Sequence, residues 1–142
     1  MADSDAVSGL GVALNRGDGT SAESFVVIAE LVDISGPNMT RDTIDVTNHD
    51  DNHSGFREFI GGLKDGGEVT LTVQFTYAGY ALAFTDLQSD DTGNYTLVAP
   101  DTGDTTWAFV ALITALSLTF PMNDKITHDM TLKLSGLPTC TA

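Results

Sequence analysis

Residues 40–75 read TRDTIDVTNHDDNHSGFREFIGGLKDGGEVTLTVQF, and the fold turns on how this stretch ends. Val69, Leu71, Val73 and Phe75 fall on one side of an extended chain, and Thr70, Thr72, Gln74 and Thr76 on the other. A strict period of two in Thr and Val, which suit a pleated surface, predicts a strand with one face in a core. Its opposite face is polar but uncharged, as in a sheet wetted on one side. Upstream, Lys64-Asp65-Gly66-Gly67-Glu68 is a glycine-rich turn that opens onto this strand. Phe56, Phe59 and Ile60 recur at i, i+3 and i+4, which predicts one or two helical turns with Arg57 and Glu58 outward, stopped by Gly61-Gly62. Residues 48–55 are loop, and Ile44 and Val46 alternate with Thr43, Asp45 and Thr47 in a short extended segment.

Further strand signals flank this stretch. Residues 10–14 (LGVAL) predict a short strand ended by the turn-rich Asn15-Arg16-Gly17-Asp18-Gly19. Residues 25–34 (FVVIAELVDI) predict one strand, apolar on both faces at first and gaining Glu30 and Asp33 where it leaves the core. Downstream, Tyr80, Phe84 and Leu87 recur at helical spacing among alanines and leucine, so one helix is expected at about residues 79–89. Residues 95–99 form a strand, and residues 107–120, interrupted by Thr114, Ser117 and Thr119, form one bent strand or two in succession. A final alternating strand, residues 126–135, ends at Gly136 and Pro138. Strands separated by turn signals, with a single helix, define a mainly β class: a β-sandwich or barrel-forming fold. The chain is expected to be one domain over 1–142, with flexible arms at 1–9 and 137–142.

Composition narrows the function. Twenty acidic residues against six basic ones give a formal charge of −14. Such a chain repels nucleic-acid phosphate, whose binding needs clustered Lys and Arg. No apolar run reaches the roughly 18 to 20 residues that span a bilayer, so no membrane anchor is expected. The acidic start, Met1-Ala2-Asp3-Ser4-Asp5, lacks a basic region with an apolar stretch behind it, and no secretory signal is expected. The single cysteine, Cys140, excludes an intrachain disulfide and a Cys-based zinc site.

Candidate chemistry gathers at His49, Asp50, Asp51 and His53, where imidazoles and carboxylates could share a cation. No HExxH spacing or distant third ligand supports a metal, and the cluster reads as a polar contact loop. The acidic turns at 90–93 and 101–104 lack the calcium-loop spacing with its closing Glu. Neither Ser35-Gly36 nor Ser54-Gly55 supplies a nucleophile elbow with a partner base. His128 lies on the apolar side of its strand, where a structural role is the default. The residues therefore predict no catalytic set, no metal and no cofactor.

The order of features resembles the major tail tube proteins of long-tailed bacteriophages. It is carried by Asp33-Ile34-Ser35-Gly36-Pro37, DTIDVTNHDD at 42–51 and GFREFIGGLKDGGEVTLTVQF at 55–75, then NYTLVAPDTG at 94–103, Trp107-Ala108-Phe109 and MNDKITHDMTLKLSGLPT at 122–139. The resemblance implies a non-enzymatic virion protein whose subunits close into hexameric rings. Their inner sheets would join around a channel, and stacked rings would form the tube through which the genome enters the host cell. Implied partners are other copies of the chain and the tape-measure, tail-tip and tail-terminator proteins. Double-stranded DNA would pass without specific binding. Localisation would be the virion tail, assembled in the host cytoplasm.

On that resemblance, Asp42, Thr43, Asp45, Thr47, Asn48, His49, Asp50, Asp51 and His53, within the loop 40–55, are expected to contact neighbouring subunits, with Phe56, Phe59 and Ile60 as a packing anchor. Two rows are equal candidates for the channel wall: Thr70, Thr72, Gln74 and Thr76, or Thr127, Asp129, Thr131 and Lys133. Two competing classes are a ligand-binding β-sandwich of carbohydrate-binding or adhesin type, which would want exposed aromatics on one sheet face, and a small metal-dependent hydrolase using His49, Asp51 and His53.

Overall fold

The computed structural model describes residues 7–17, 25–28, 31–48 and 55–142. The elements run β1 (Ala13–Gly17), β2 (Phe25–Val27), β3 (Leu31–Ser35), β4 (Thr40–Asp45), β5 (Phe59–Asp65), β6 (Glu68–Gln74), α1 (Tyr77–Gln88), β7 (Gly93–Val98), β8 (Thr106–Thr119) and β9 (Thr127–Thr141). Seven strands make one antiparallel sheet in the order β2-β1-β7-β8-β9-β6-β3, and β4 and β5 pair with each other as a separate two-stranded unit.

The sheet must curl. A flat seven-stranded sheet is about 29 Å wide at ordinary strand spacing. Yet β2 lies on one edge and β3 on the other, and Val27 and Leu31, only four residues apart, can be separated by no more than about 15 Å. The result is a half-barrel, the barrel-forming form of the expected fold.

One face of the sheet holds the core. Val69, Leu71 and Val73 of β6, and Met130, Leu132 and Leu134 of β9, are buried there, as the alternation requires. Tyr95 and Leu97, Phe109 and Ile113, and Leu14 continue it across β7, β8 and β1. Helix α1 lies over this face and buries Ala83. Thr76 Oγ1 accepts a hydrogen bond from Gly79 N–H at 3.2 Å and caps the helix. Arg16 of β1 reaches the helix with two donors to the Asp86 carboxylate, Nη2 at 2.6 Å from Oδ1, a planar, charge-assisted clasp.

His128 sits in the same core, 1% exposed, with its ring edge-on to Tyr80 at 5.6 Å. Its Nδ1 has no hydrogen-bond partner among the described residues. Burial holds its pKa below the usual histidine value. The unfolded chain, titrating near pH 6.5, then takes up the proton first, so stability is fully present above that pH and declines as pH falls through it. Comparing unfolding midpoints at pH 7.5 and 5, we expect wild type to lose more than His128→Phe. An equal loss would remove His128 from the pH response.

Several expectations are corrected. Residues 56–60 form no helical turn: Phe59 begins β5, which runs through Gly61 and Gly62. Three apolar positions cannot offset helix nucleation without a surface to cover. The ladder to β4 satisfies this backbone instead, and the Arg41 guanidinium lies over Gly61 where a side chain would stand. The first strand is Ala13–Gly17 rather than 10–14, because Asn15 and Arg16 pair with Thr96 and Tyr95 on one side and Val27 and Val26 on the other. The single strand expected at 25–34 is two, β2 and β3, on opposite sheet edges. Residues 107–120 form one long strand, with register shifts at Ala108/Val110 and Ile113/Ala115. The last strand does not stop at Gly136. Ser135 pairs with Val110 and Thr139 with Ala108, so Gly136 (φ 81°), Leu137 and Pro138 bulge out and the ladder resumes. Residues 137–141, expected in a flexible arm, are therefore strand.

Candidate assembly surfaces

The two candidate wall rows prove to be one surface. Strands β6 and β9 are neighbours in register: Thr70 faces Thr131, Thr72 faces Asp129, Gln74 faces Thr127, and Glu68 faces Lys133. Each row alternates with buried core residues, so all of these stand on the face away from α1. On the flanks, Ser35 and Asp33 of β3 lie opposite Thr70 and Thr72, and Ser117 and Thr119 of β8 opposite Asp129 and Thr127. A sequence reading alone missed Ser117 and Thr119. The register shift at Ile113/Ala115 turns them onto this face, and no local residue pattern announces it. Thr76 does not belong to the row. Strand β6 ends at Gln74, and Thr76 is spent as the helix cap.

Hydrogen bonds fix the charges on this face. Thr72 Oγ1 donates to Asp129 Oδ1 at 2.8 Å. Lys133 Nζ meets both Asp65 oxygens at 3.2 and 3.3 Å. The Gly67 N–H and then Lys133 hold the Asp65 carboxyl below its ordinary value. With Lys133 so engaged, the face offers Asp33, Glu68 and Asp129 among neutral hydroxyls. Among the described residues, phosphate meets no unpaired cation there.

The second surface is the β4–β5 arm. Its strands pair Ile44 with Ile60 and Asp45 with Phe59, and the pairing is prolonged by Val46 N–H to Glu58 O at 2.9 Å. Glu58 N–H donates to Thr47 Oγ1 at 2.7 Å, and the Thr47 hydroxyl and then its N–H hold the Asp45 carboxyl below its ordinary value. All six residues of β4 are exposed, as are Phe56, Phe59, Ile60 and Leu63. A lone two-stranded ribbon is marginal in water, and this one shows apolar groups on both faces. Expected as a packing anchor, Phe56, Phe59 and Ile60 remain half or more exposed and pack against nothing substantial among the described residues. Of the expected contact loop, Asp42, Thr43, Asp45, Thr47 and Asn48 lie on or next to this arm. His49, Asp50, Asp51 and His53 fall outside the described residues.

The arm leaves the sheet through two closely apposed connections. Gly36 (φ 107°) abuts the Glu68 carbonyl, and Gly67 (φ 75°) abuts the Asn38 carbonyl. Only glycine fits either contact, and both backbones require its left-handed freedom. These contacts tie the root of the arm to the sheet. At the opposite end of β8, Phe120 and Met122 add further exposed apolar surface.

No group of three or more metal-ligating side chains occurs among the described residues. Arg16 is committed to Asp86. Trp107 pairs with Leu97 on the core side, so it offers no exposed platform on the polar face for a sugar.

A sheet polar along β6 and β9 and an apolar arm left uncovered by the other described residues have the form of a structural building block. The chain belongs to the lambda phage tail tube protein family, whose model matches residues 14–141. It is a structural protein of the tail tube, a virion tail component. No curated protein sequence matches it. Among solved structures it is similar to a chain of the virion of a native gene transfer agent particle, with TM-score 0.74 and 19% identity over 96% of this chain and 100% of that one. A chain from the tail of an empty gene transfer agent particle, solved with C6 symmetry, gives TM-score 0.68 and 22% identity over 92% and 96%. The SPP1 tail tube gives TM-score 0.69 and 10% identity over 95% and 78%.

Proposed function

We propose that six copies close into a ring with the β6–β9 polar face inward, that rings stack into a tube, and that duplex DNA passes through it into the host. The observation that carries this reading is the pairing of a sheet face that is polar throughout β6 and β9 with an apolar arm that has no partner among the described residues. The wetted face suits a water-filled channel, and its neutral and acidic groups form no lasting phosphate contacts. Loop residues 42–53 and the anchor Phe56, Phe59 and Ile60 reach the neighbouring subunits. Ring closure pairs or covers the sheet edges, which would otherwise invite uncontrolled aggregation. The sixfold symmetry of a gene transfer agent tail supports the ring number. Tape-measure, tail-tip and terminator proteins cap and fill such a tube, assembled in the host cytoplasm.

Negative-stain microscopy of the purified protein tests the tube directly: hollow tubes or rings are expected, and a stable monomer at high concentration would oppose the reading. The channel face has its own test. Lysines at Thr70, Thr72 and Gln74 should leave tubes intact and slow genome delivery, because each adds a phosphate contact to the wall. Delivery at the wild-type rate would remove this face from the channel.

A further inference from the structure

We propose that Arg41 and Lys64, at the root of the arm, receive the acidic carboxyl end of α1, Asp90 and Asp91, from the adjacent copy in the ring. This rests on the ring reading above and adds a specific lateral contact to it.

The cation pair is anomalous for so acidic a chain. Arg41 and Lys64 are cross-strand partners on β4 and β5, and they set two cations together at the root of the arm, with the Arg41 guanidinium leaning over Gly61. The chain has 20 carboxylates for six cations. Three of the other four are ion-paired among the described residues: Arg16 with Asp86, Lys133 with Asp65, and Lys125, 3.9 Å from Asp124; Arg57 acts only weakly, on Asp45. Arg41 and Lys64 have no ion-pair partner among the described residues. They rim a groove of about 570 Å³ lined also by Met39, Leu137, Pro138 and Asp65, whose carboxylate is held by Lys133.

The carboxyl end of α1 is the complementary anomaly. A helix carries partial negative charge there. Its last turn holds no basic residue, and the exposed Asp90 and Asp91 follow directly, adding charge of the same sign. No cation among the described residues pairs with them. Half-exposed Leu87 beside them could enter the apolar part of the groove.

Sheet register places both features at one level. Gly93, just after the acidic turn, pairs with Ala111, and Ala111 pairs with Leu134. Leu134 N–H in turn donates to Gly67 O at 3.0 Å, beside Lys64 and Gly66. The two sites thus share one end of the sheet but are offset across it by three strand spacings, about 14 Å. A contact between such features on two copies is side by side rather than end to end. Repeated by rotation, a head-to-tail contact of this kind closes a ring.

A charge swap tests it. Arg41→Glu with Lys64→Glu, and separately Asp90→Lys with Asp91→Lys, should each raise the protein concentration needed for tube formation at least about tenfold, as expected when attraction becomes repulsion. All four substitutions together should restore tubes to within about threefold of wild type, since the contact is then re-made with its charges exchanged. Circular dichroism and the unfolding midpoint identify folded variants. Either folded pair assembling like wild type, or a folded quadruple variant that fails to recover, would overturn the contact. Wild type assayed alongside separates the two levels. If wild type makes tubes and the swaps have no effect, only this contact fails; if wild type makes none, the ring reading fails and takes the contact with it.

Discussion

Replacing Ile44 and Ile60 with aspartate is expected to abolish tube formation and to leave the subunit folded. Both residues are half exposed, on paired strands that join no other sheet. Covering the exposed half of each would contribute about 1 kcal/mol per residue, half the value for full burial. An aspartate forfeits that contribution and adds the cost of desolvating a charge against an apolar partner. The same loss recurs at every subunit contact in the tube. The core of the subunit is separate from the arm, so the denaturant midpoint should stay close to wild type. Sedimentation and negative-stain microscopy of the double variant check both halves of this expectation. Tubes of normal length would show that the arm is not an assembly element.

Leu132→Ala has the largest expected effect on the subunit itself. Leu132 is fully buried at the centre of the sheet, on β9 between Val69 of β6 and Ile113 of β8. Both neighbours sit on long ladders that cannot collapse into the space. The cost is therefore expected in the range of about 2–5 kcal/mol, transfer and cavity together. Against a typical stability of about 5–15 kcal/mol, that leaves a marginal subunit, measurable by urea denaturation. A change under about 1 kcal/mol would mean that this part of the core relaxes freely. Assembly should suffer in proportion to the unfolded fraction, unlike the arm variant, which is folded but unable to associate.

Alternation is legible wherever a strand has one buried face, and residues 69–74 and 127–134 are found as their pattern predicts. The helix is legible too, because Tyr80, Phe84 and Leu87 recur over enough turns to show a period. Of the arm, the extended segment at 43–47 is legible and overlaps β4, whereas β5 is not legible, for a physical reason. Among the described residues the arm's strands have no buried face, so no core marks β5, and Phe56, Phe59 and Ile60 mimic a helical spacing by accident. Bulges are equally silent. Nothing in residues 113–119 announces that Ser117 and Thr119 join the wetted face, and nothing in Gly136-Leu137-Pro138 says that the strand continues beyond it. The two candidate wall rows looked like alternatives because register between distant strands is not a local property. Once β6 and β9 are paired, Thr70 with Thr131 and Thr72 with Asp129, they are one surface, the proposed channel wall.

The central claim is that this wall faces the channel. A side-chain-resolution reconstruction of tubes assembled from the pure protein tests it most directly. Thr70, Thr72, Asp129 and Thr131 should line the lumen, with α1 outside the sheet. A lumen lined by α1 instead, or these four side chains buried between subunits away from water, would contradict the account.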